Sequence, residues 1–276
     1  MARHSMLAAL TFVLIVAATS GDVAAGRREL RVCADPNNLP FSNRQLDGFE
    51  NKIAQLVANE LHATLRYTWM PQRRGFIRRT LKAGLCDLVM GVPGNYEMVL
   101  ATAPYYRSSS VFVYPKSRAV PLRSFDDPVL RDLRIGLHEA GEDGANQPPA
   151  HALARRGIVN HIVPYTMWDA DSVASPPGRV IDAVAAGEID TAIVWGPFGG
   201  YFARRQKTAL EVVAVEPDAG SPALPFVYDI SMGVRPGEDA FKQELEDIID
   251  RRRSEIHGIL RGFGVPLMGG HLESRP

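Results

Sequence analysis

The sequence predicts an α/β protein of two lobes, and three observations predict it. Strand-like and helix-like segments alternate from Leu30 to Tyr114, which is the pattern of βαβ units. The alternation then restarts at Leu133, after a proline-bearing stretch from Pro115 to Asp127. A last strand and helix follow a second breaker, Pro217 to Pro225, so the tail can return to the first unit. Two lobes joined by a double crossover would form a hinged cleft.

Each element has a local reason. Leu30 to Ala34 reads as a short strand, followed by the Pro- and Asn-rich loop Asp35 to Pro40. Phe49, Ile53, Leu56, Val57 and Leu61 recur at helical spacing, so Phe49 to Leu61 is read as a helix. Thr64 to Trp69 is a strand, and Phe76 to Ala83 a helix stopped by Gly84. Asp87 to Val92 is an apolar run of the kind buried on both faces of a parallel sheet, and Val111 to Tyr114 is another strand. In the second unit, strands are expected at Leu133 to Leu137, His161 to Tyr165, Thr191 to Trp195 and Leu210 to Val215. Helices are expected at Ala150 to Arg156, at Arg179 to Ala186 before Gly187, and from about Phe198 to Arg205. Glu139 to Pro149 reads as a loop and Val173 to Gly178 as a breaker. Strand Val227 to Val234 and a charged amphipathic helix, about Glu238 to Arg261, complete the chain.

Composition sets the class. The chain has 276 residues, 46 % apolar and 22 % charged, ordinary for a globular protein of one large or two modest domains. Its 31 basic and 31 acidic side chains cancel, so overall charge gives no footprint for nucleic acid. Residues 1–25 read as a signal peptide: Arg3 and His4, then the apolar run Met6 to Ala18, then Val23-Ala24-Ala25 before Gly26. The run is short for a bilayer span, so a mature protein without a membrane span is expected, outside the cytoplasm. Export permits a disulfide between the two cysteines, Cys33 and Cys86. Against it, Cys33 sits late in one strand and Cys86 just before another. An offset of about three residues at roughly 3.3 Å each would exceed a disulfide's reach if those strands are parallel neighbours. The pairing is left open.

The runs Leu30-Arg-Val-Cys-Ala-Asp-Pro, Leu39-Pro-Phe41, Asp47-Gly-Phe-Glu50, Ala83-Gly-Leu-Cys-Asp-Leu-Val89 and Ala103-Pro-Tyr-Tyr106 resemble periplasmic solute-binding proteins of the amino-acid-binding type. Leu133-Arg-Ile-Gly136 and Ala186-Gly-Glu-Ile-Asp190 extend the resemblance over the mature chain. It implies a type II periplasmic-binding-protein (Venus flytrap) fold with a double hinge crossover. Lobe 1 would comprise residues 26–116 plus 226–276, and lobe 2 residues 117–225. Amino-acid binders usually clamp the ligand carboxylate with an arginine where this chain has Asn95, and hold the ammonium with an aspartate where it has Trp195. Without those anchors a closed cleft would leave both charges unpaired, so free amino acids are not the expected ligand.

Four longer runs are similar to a narrower subgroup. They are Trp69-Met-Pro-Gln-Arg-Arg-Gly-Phe-Ile-Arg78, Gly91-Val-Pro-Gly-Asn-Tyr96, Gly144 to Gly157, and Gly187 to Tyr201. They resemble the MoxJ/XoxJ-type accessory proteins encoded with quinoprotein methanol dehydrogenases. The resemblance implies a periplasmic, non-enzymatic protein that assists activation or maturation of a pyrroloquinoline-quinone (PQQ) dehydrogenase in methanol oxidation, with that enzyme as partner and no cofactor of its own. The alternative is an importer's receptor for a small organic ligand.

Candidate cleft residues follow from strand ends, where α/β proteins bind ligands. Asp35, Asn37 and Asn38 offer polar groups and Phe41 an apolar wall, or else the polar residues cap a turn. Trp69, Arg73 and Arg74 combine an aromatic with two guanidinium groups, suited to an interface or a carboxylate, or form a solvated basic turn. Asn95, Tyr96, Tyr105 and Tyr106 lie near the crossing between lobes, where tyrosines serve clefts, interfaces or hinge packing. Trp195 fills the cleft, stacks on a flat ligand or belongs to the core. His138, Glu139, Glu142 and Asp143 lack an EF-hand pattern and read as a solvated acidic loop, and no metal is expected. Arg251-Arg-Arg253 reads as a solvated helix face. No GxSxG, Walker, GxGxxG or HExxH pattern suggests catalysis.

Overall fold

The computed structural model describes residues 28–118, 122–139, 147–167, 176–217 and 225–269. The expected signal peptide, the acidic pair Glu142 and Asp143, the first half of the breaker Val173 to Gly178 and most of the breaker Pro217 to Pro225 lie outside those residues. In chain order the fold runs β1 (Glu29–Ala34), β2 (Asn37–Asn38), β3 (Ser42–Asn43), α1 (Phe49–Glu60), β4 (Thr64–Trp69), α2 (Phe76–Arg79), β5 (Leu88–Pro93), β6 (Leu100–Ala101) and β7 (Tyr106–Pro115). It continues with a 3-10 turn Pro128–Asp132, then β8 (Ile135–Glu139), α3 (Pro148–Arg155), β9 (Ile162–Thr166), α4 (Arg179–Ala186), β10 (Thr191–Trp195), α5 (Gly196–Ala203) and β11 (Leu210–Ala214). β12 (Val227–Val234) and α6 (Asp239–Gly262) end it.

The sheet order is β4-β1-β5-β12-β7-β10-β8-β9, with β6 beside β12 and β11 beside β7. β7 is the strand common to both lobes. Its first half, Tyr106 to Ser109, pairs antiparallel with β12, and its second half pairs with β10 and β11. At the crossing, the Ser110 amide donates to the Phe226 carbonyl and the Val215 amide to the Ser110 carbonyl. Sequence periodicity marks only Val111 to Tyr114 as a strand because Ser108, Ser109 and Ser110 read as polar. They are in fact buried where the two lobes meet.

Alternation along the strands divides the core. Leu30 and Val32 of β1 and Leu88 and Met90 of β5 face α1 and α6, whereas Cys33 and Val89 face α2. The second lobe repeats this layering, with Phe112, Ile135 and Ile193 on one face and Val111, Val113, Ala192 and Val194 on the other. α2 is shorter than its apolar pattern predicts. The Thr80 hydroxyl donates back to the Phe76 carbonyl at 2.6 Å, which competes with helix propagation, and Gly84 turns the chain at φ 73°.

Cys33 and Cys86 form a disulfide with Cα atoms 5.6 Å apart. The strands are parallel neighbours, as assumed, with Cys33 opposite Val89. The offset argument fails because Cys86 precedes β5 and its chain leaves the ladder, bending back over Cys33. His138 corrects a second expectation: it lies within β8, almost wholly buried, and not in a solvated loop. Arg251 and Arg252 are not merely solvated either, since both pair with Glu60 at the end of α1. Among the described residues no helix is long and apolar enough to cross a membrane.

Candidate functional site

The loop after β1 folds around Asp35. Its carboxylate accepts the Asn37 amide at 2.8 Å and the Gln72 amide at 2.6 Å, so it braces its own turn and ties it to the loop after β4. Burial raises its pKa, against those two hydrogen bonds. Asn38 is half-buried in the β2–β3 hairpin. The hairpin carries Phe41 across the gap between the lobes. The Phe41 ring lies 5.1 Å from Phe49 of α1 and 5.1 Å from Phe198 of α5.

That contact is part of an aromatic seam. Phe198 meets the His138 ring edge-on at 5.2 Å. Trp195, at the end of β10, packs on Tyr228 of β12 at 5.7 Å. Phe263, just after α6, stacks on Tyr201 of α5 at 5.7 Å and meets Phe49 at 5.9 Å. Phe41, Trp195 and Phe263 each pack against the cores of both lobes. These ring contacts join elements of both lobes through apolar side chains.

Two titratable groups are buried beside these elements. Glu50 has its pKa raised to about 8 by burial and by the nearby Asp35 carboxylate. His138 has its pKa lowered to about 4 by burial. The His138 Nε2 donates to the Pro177 carbonyl at 2.9 Å, and Nδ1 is buried with no partner among the described residues. Sequence reasoning missed Glu50, Phe198 and Phe263. Helical spacing marks Glu50 as an ordinary first-turn acid, and nothing local says that Phe198 faces Phe41.

Other predicted site residues scatter. Tyr105 and Tyr106 are fully buried in the lobe 1 core and do not line an open wall. Trp69 stacks on Tyr67 at 4.6 Å, with the Arg44 guanidinium 5.9 Å above its ring. Arg73, Arg74 and Asn95 are exposed. Arg73 and Arg74 share with Tyr96 a cavity of about 420 Å³, lined by residues 72–78, 91–93, Tyr96 and Met98. A second cavity, about 510 Å³, lies at the opposite end of the lobe 1 strands among Arg28, Arg31, Asp87, Arg235 and Phe241. Neither of these two cavities is lined by the seam residues. Among the described residues no group of three His, Cys, Asp or Glu could hold a metal ion.

Residues 30–258 match the family described as bacterial extracellular solute-binding proteins, family 3. The chain belongs to this family. Among solved structures it is similar to the periplasmic binding protein XoxJ from Methylobacterium extorquens AM1, 37 % identical, with a TM-score of 0.72 over 87 % of this chain and all of XoxJ. MxaJ from Methlophaga aminisulfidivorans MPT, 22 % identical, has the same fold, with a TM-score of 0.74 over 87 % of this chain and all of MxaJ. Protein MoxJ of Methylorubrum extorquens is 28 % identical over 252 residues, 87 % of this chain and 81 % of MoxJ. As a family 3 solute-binding protein, the chain keeps the type II two-lobed fold. Of the two positions where the resemblance leads one to expect charged ligand anchors, Asn95 is exposed and Trp195 packs on Tyr228.

Proposed function

We propose that this protein is a non-enzymatic periplasmic accessory protein that acts by docking to a PQQ-dependent methanol dehydrogenase, not by enclosing a solute. The observation that carries the reading is the aromatic seam from Phe41 to Phe198, with Trp195 in place of a charged ligand anchor. A cleft plugged by its own side chains offers a partner a rigid two-lobed surface and offers a small solute no enclosed polar site. The similarity to XoxJ and MoxJ supports the partner named. In this reading residues 1–25 direct export, residues 26–116 plus 226–276 form lobe 1, and residues 117–225 form lobe 2. The exposed members of the predicted cleft set, Arg73, Arg74, Asn95 and Tyr96, belong to the docking face.

The test uses tagged mature protein as bait in periplasmic extract. Recovery of a PQQ dehydrogenase is expected. Recovery of importer membrane components, or a thermal shift with a small solute in a broad screen, would favour the receptor reading instead. A true receptor gains about 2.7 kcal/mol at a hundredfold excess of ligand over its dissociation constant, which such a screen detects readily.

A further inference from the structure

The charge of this chain is balanced overall but not locally. Between Glu60 and Asp87 there are 26 residues without one acidic side chain, and six are cationic: Arg66, Arg73, Arg74, Arg78, Arg79 and Lys82. The fold gathers three of them, Arg73, Arg74 and Arg78, on the rim of the 420 Å³ cavity. Gly75, at φ 82°, makes the left-handed turn between the arginine pair and α2, and the Phe76 amide closes it onto the Arg73 carbonyl at 2.9 Å. Arg79 braces the turn by donating to the Arg74 carbonyl at 3.1 Å. Among the described residues Arg74 and Arg78 enter no ion pair, and both are exposed. Of the adjacent acids, Asp35 is held by backbone amides and lies within electrostatic reach of Arg73, while Glu97 is exposed and not part of the lining, so Arg74 and Arg78 are the rim cations that remain for a partner.

We infer that this cavity is the docking point for an acidic segment of the protein partner, whose carboxylates meet Arg74 and Arg78. The inference rests on the docking reading above and adds the chemistry of the surface that is recognised. Guanidinium groups bind carboxylates in a two-pronged fork, and clustered like charges raise the encounter rate with an oppositely charged partner. The other walls, Phe76, Val92 and Met98 with Tyr96 at the mouth, suit the aliphatic stems of acidic side chains. A concave site of this size admits side chains, which a flat lipid surface cannot supply.

The experiment measures binding of a fluorescent hexaglutamate peptide to the mature protein and to its Arg74→Gln/Arg78→Gln variant, at low and at physiological salt. Both residues are exposed, and matching melting curves verify that the variant is folded. Saturable binding by the wild type, weakened at least tenfold in the variant and by added salt, is expected. Absence of peptide binding, or equal binding by both proteins, overturns the inference. So does binding to phosphatidylglycerol vesicles without binding to peptide. A parallel arm follows co-migration with the dehydrogenase. If wild type and an Arg74→Glu/Arg78→Glu variant co-migrate equally, the inference fails while the docking reading stands. If the wild type never co-migrates, the docking reading fails and the peptide arm alone decides the cavity's chemistry.

Discussion

Gly91 and Glu50 illustrate how one residue constrains another in this protein. Gly91 sits in β5 at φ 68°, and a Cβ placed there would collide with the Glu50 carboxyl. The bend also shifts the strand's alternation: Met90 faces α1 and α6, while Val92 faces α2 with Val89. Gly91→Ala is therefore expected to cost about 2 kcal/mol from backbone strain alone, read by chemical denaturation. Glu50 has a folded-state pKa of about 8 against an ordinary 4.5 because burial disfavours its charge. The folded state thus holds a proton that the unfolded state has released. The corresponding stability is complete below pH 4.5 and is lost as the pH rises towards 8. Urea titrations across that window should show a slope that Glu50→Gln flattens. His138 acts in the opposite sense. Its pKa falls from 6.5 to about 4, so the stability it contributes is present above pH 6.5 and lost as the pH falls towards 4. His138→Gln should flatten that acid limb only. Neither group is legible as buried from the sequence. Each lies in a polar stretch, and its burial depends on elements far along the chain.

Among the elements, those with a continuous local signal are the ones the sequence predicts well. α4 matches its expected bounds, Arg179–Ala186, because apolar spacing ends at Gly187, which takes φ 75°. β12 matches at Val227–Val234 because its segment is bounded by Pro225 before it and Pro236-Gly237 after it. The first half of β7 is not legible because its serines are polar yet buried at the crossing between lobes. The disulfide is not legible because strand register says nothing of a residue that has left the strand. That bridge closes a loop of 53 residues, and the chain-entropy account gives about 4 kcal/mol for its removal. The Cys33→Ala/Cys86→Ala variant should lose a stability of that order in guanidinium titrations, while the native protein should show no thiol to Ellman's reagent. α5 and the segment after α6 pack backbone to backbone: a Cβ at Gly200 would strike the Gly264 carbonyl. Gly200→Ala should force the two elements apart, seen as earlier proteolysis of the C-terminal segment. A volume-neutral change on the exposed face of α3, such as His151→Gln, should leave the digestion pattern unchanged.

At the scale of the whole molecule, the fold class, the two lobes and the family were readable from the order of motifs along the chain. The seam was not, since Phe41 and Phe198 are 157 positions apart and nothing in either local pattern announces the contact. In the docking reading proposed above, that contact is what keeps the flytrap architecture from closing on a solute. Small-angle scattering should find the same dimensions with and without a mixture of amino acids, whereas Phe41→Ala/Phe198→Ala, by emptying the seam, should loosen the lobes and enlarge the particle. The most direct test of the docking reading is size-exclusion co-migration of the mature protein with a purified PQQ methanol dehydrogenase, in its cofactor-free and cofactor-loaded forms, at physiological ionic strength. The account predicts a joint peak with at least one form. Separate elution from both forms, together with a rise in melting temperature on adding a small organic solute, would contradict it.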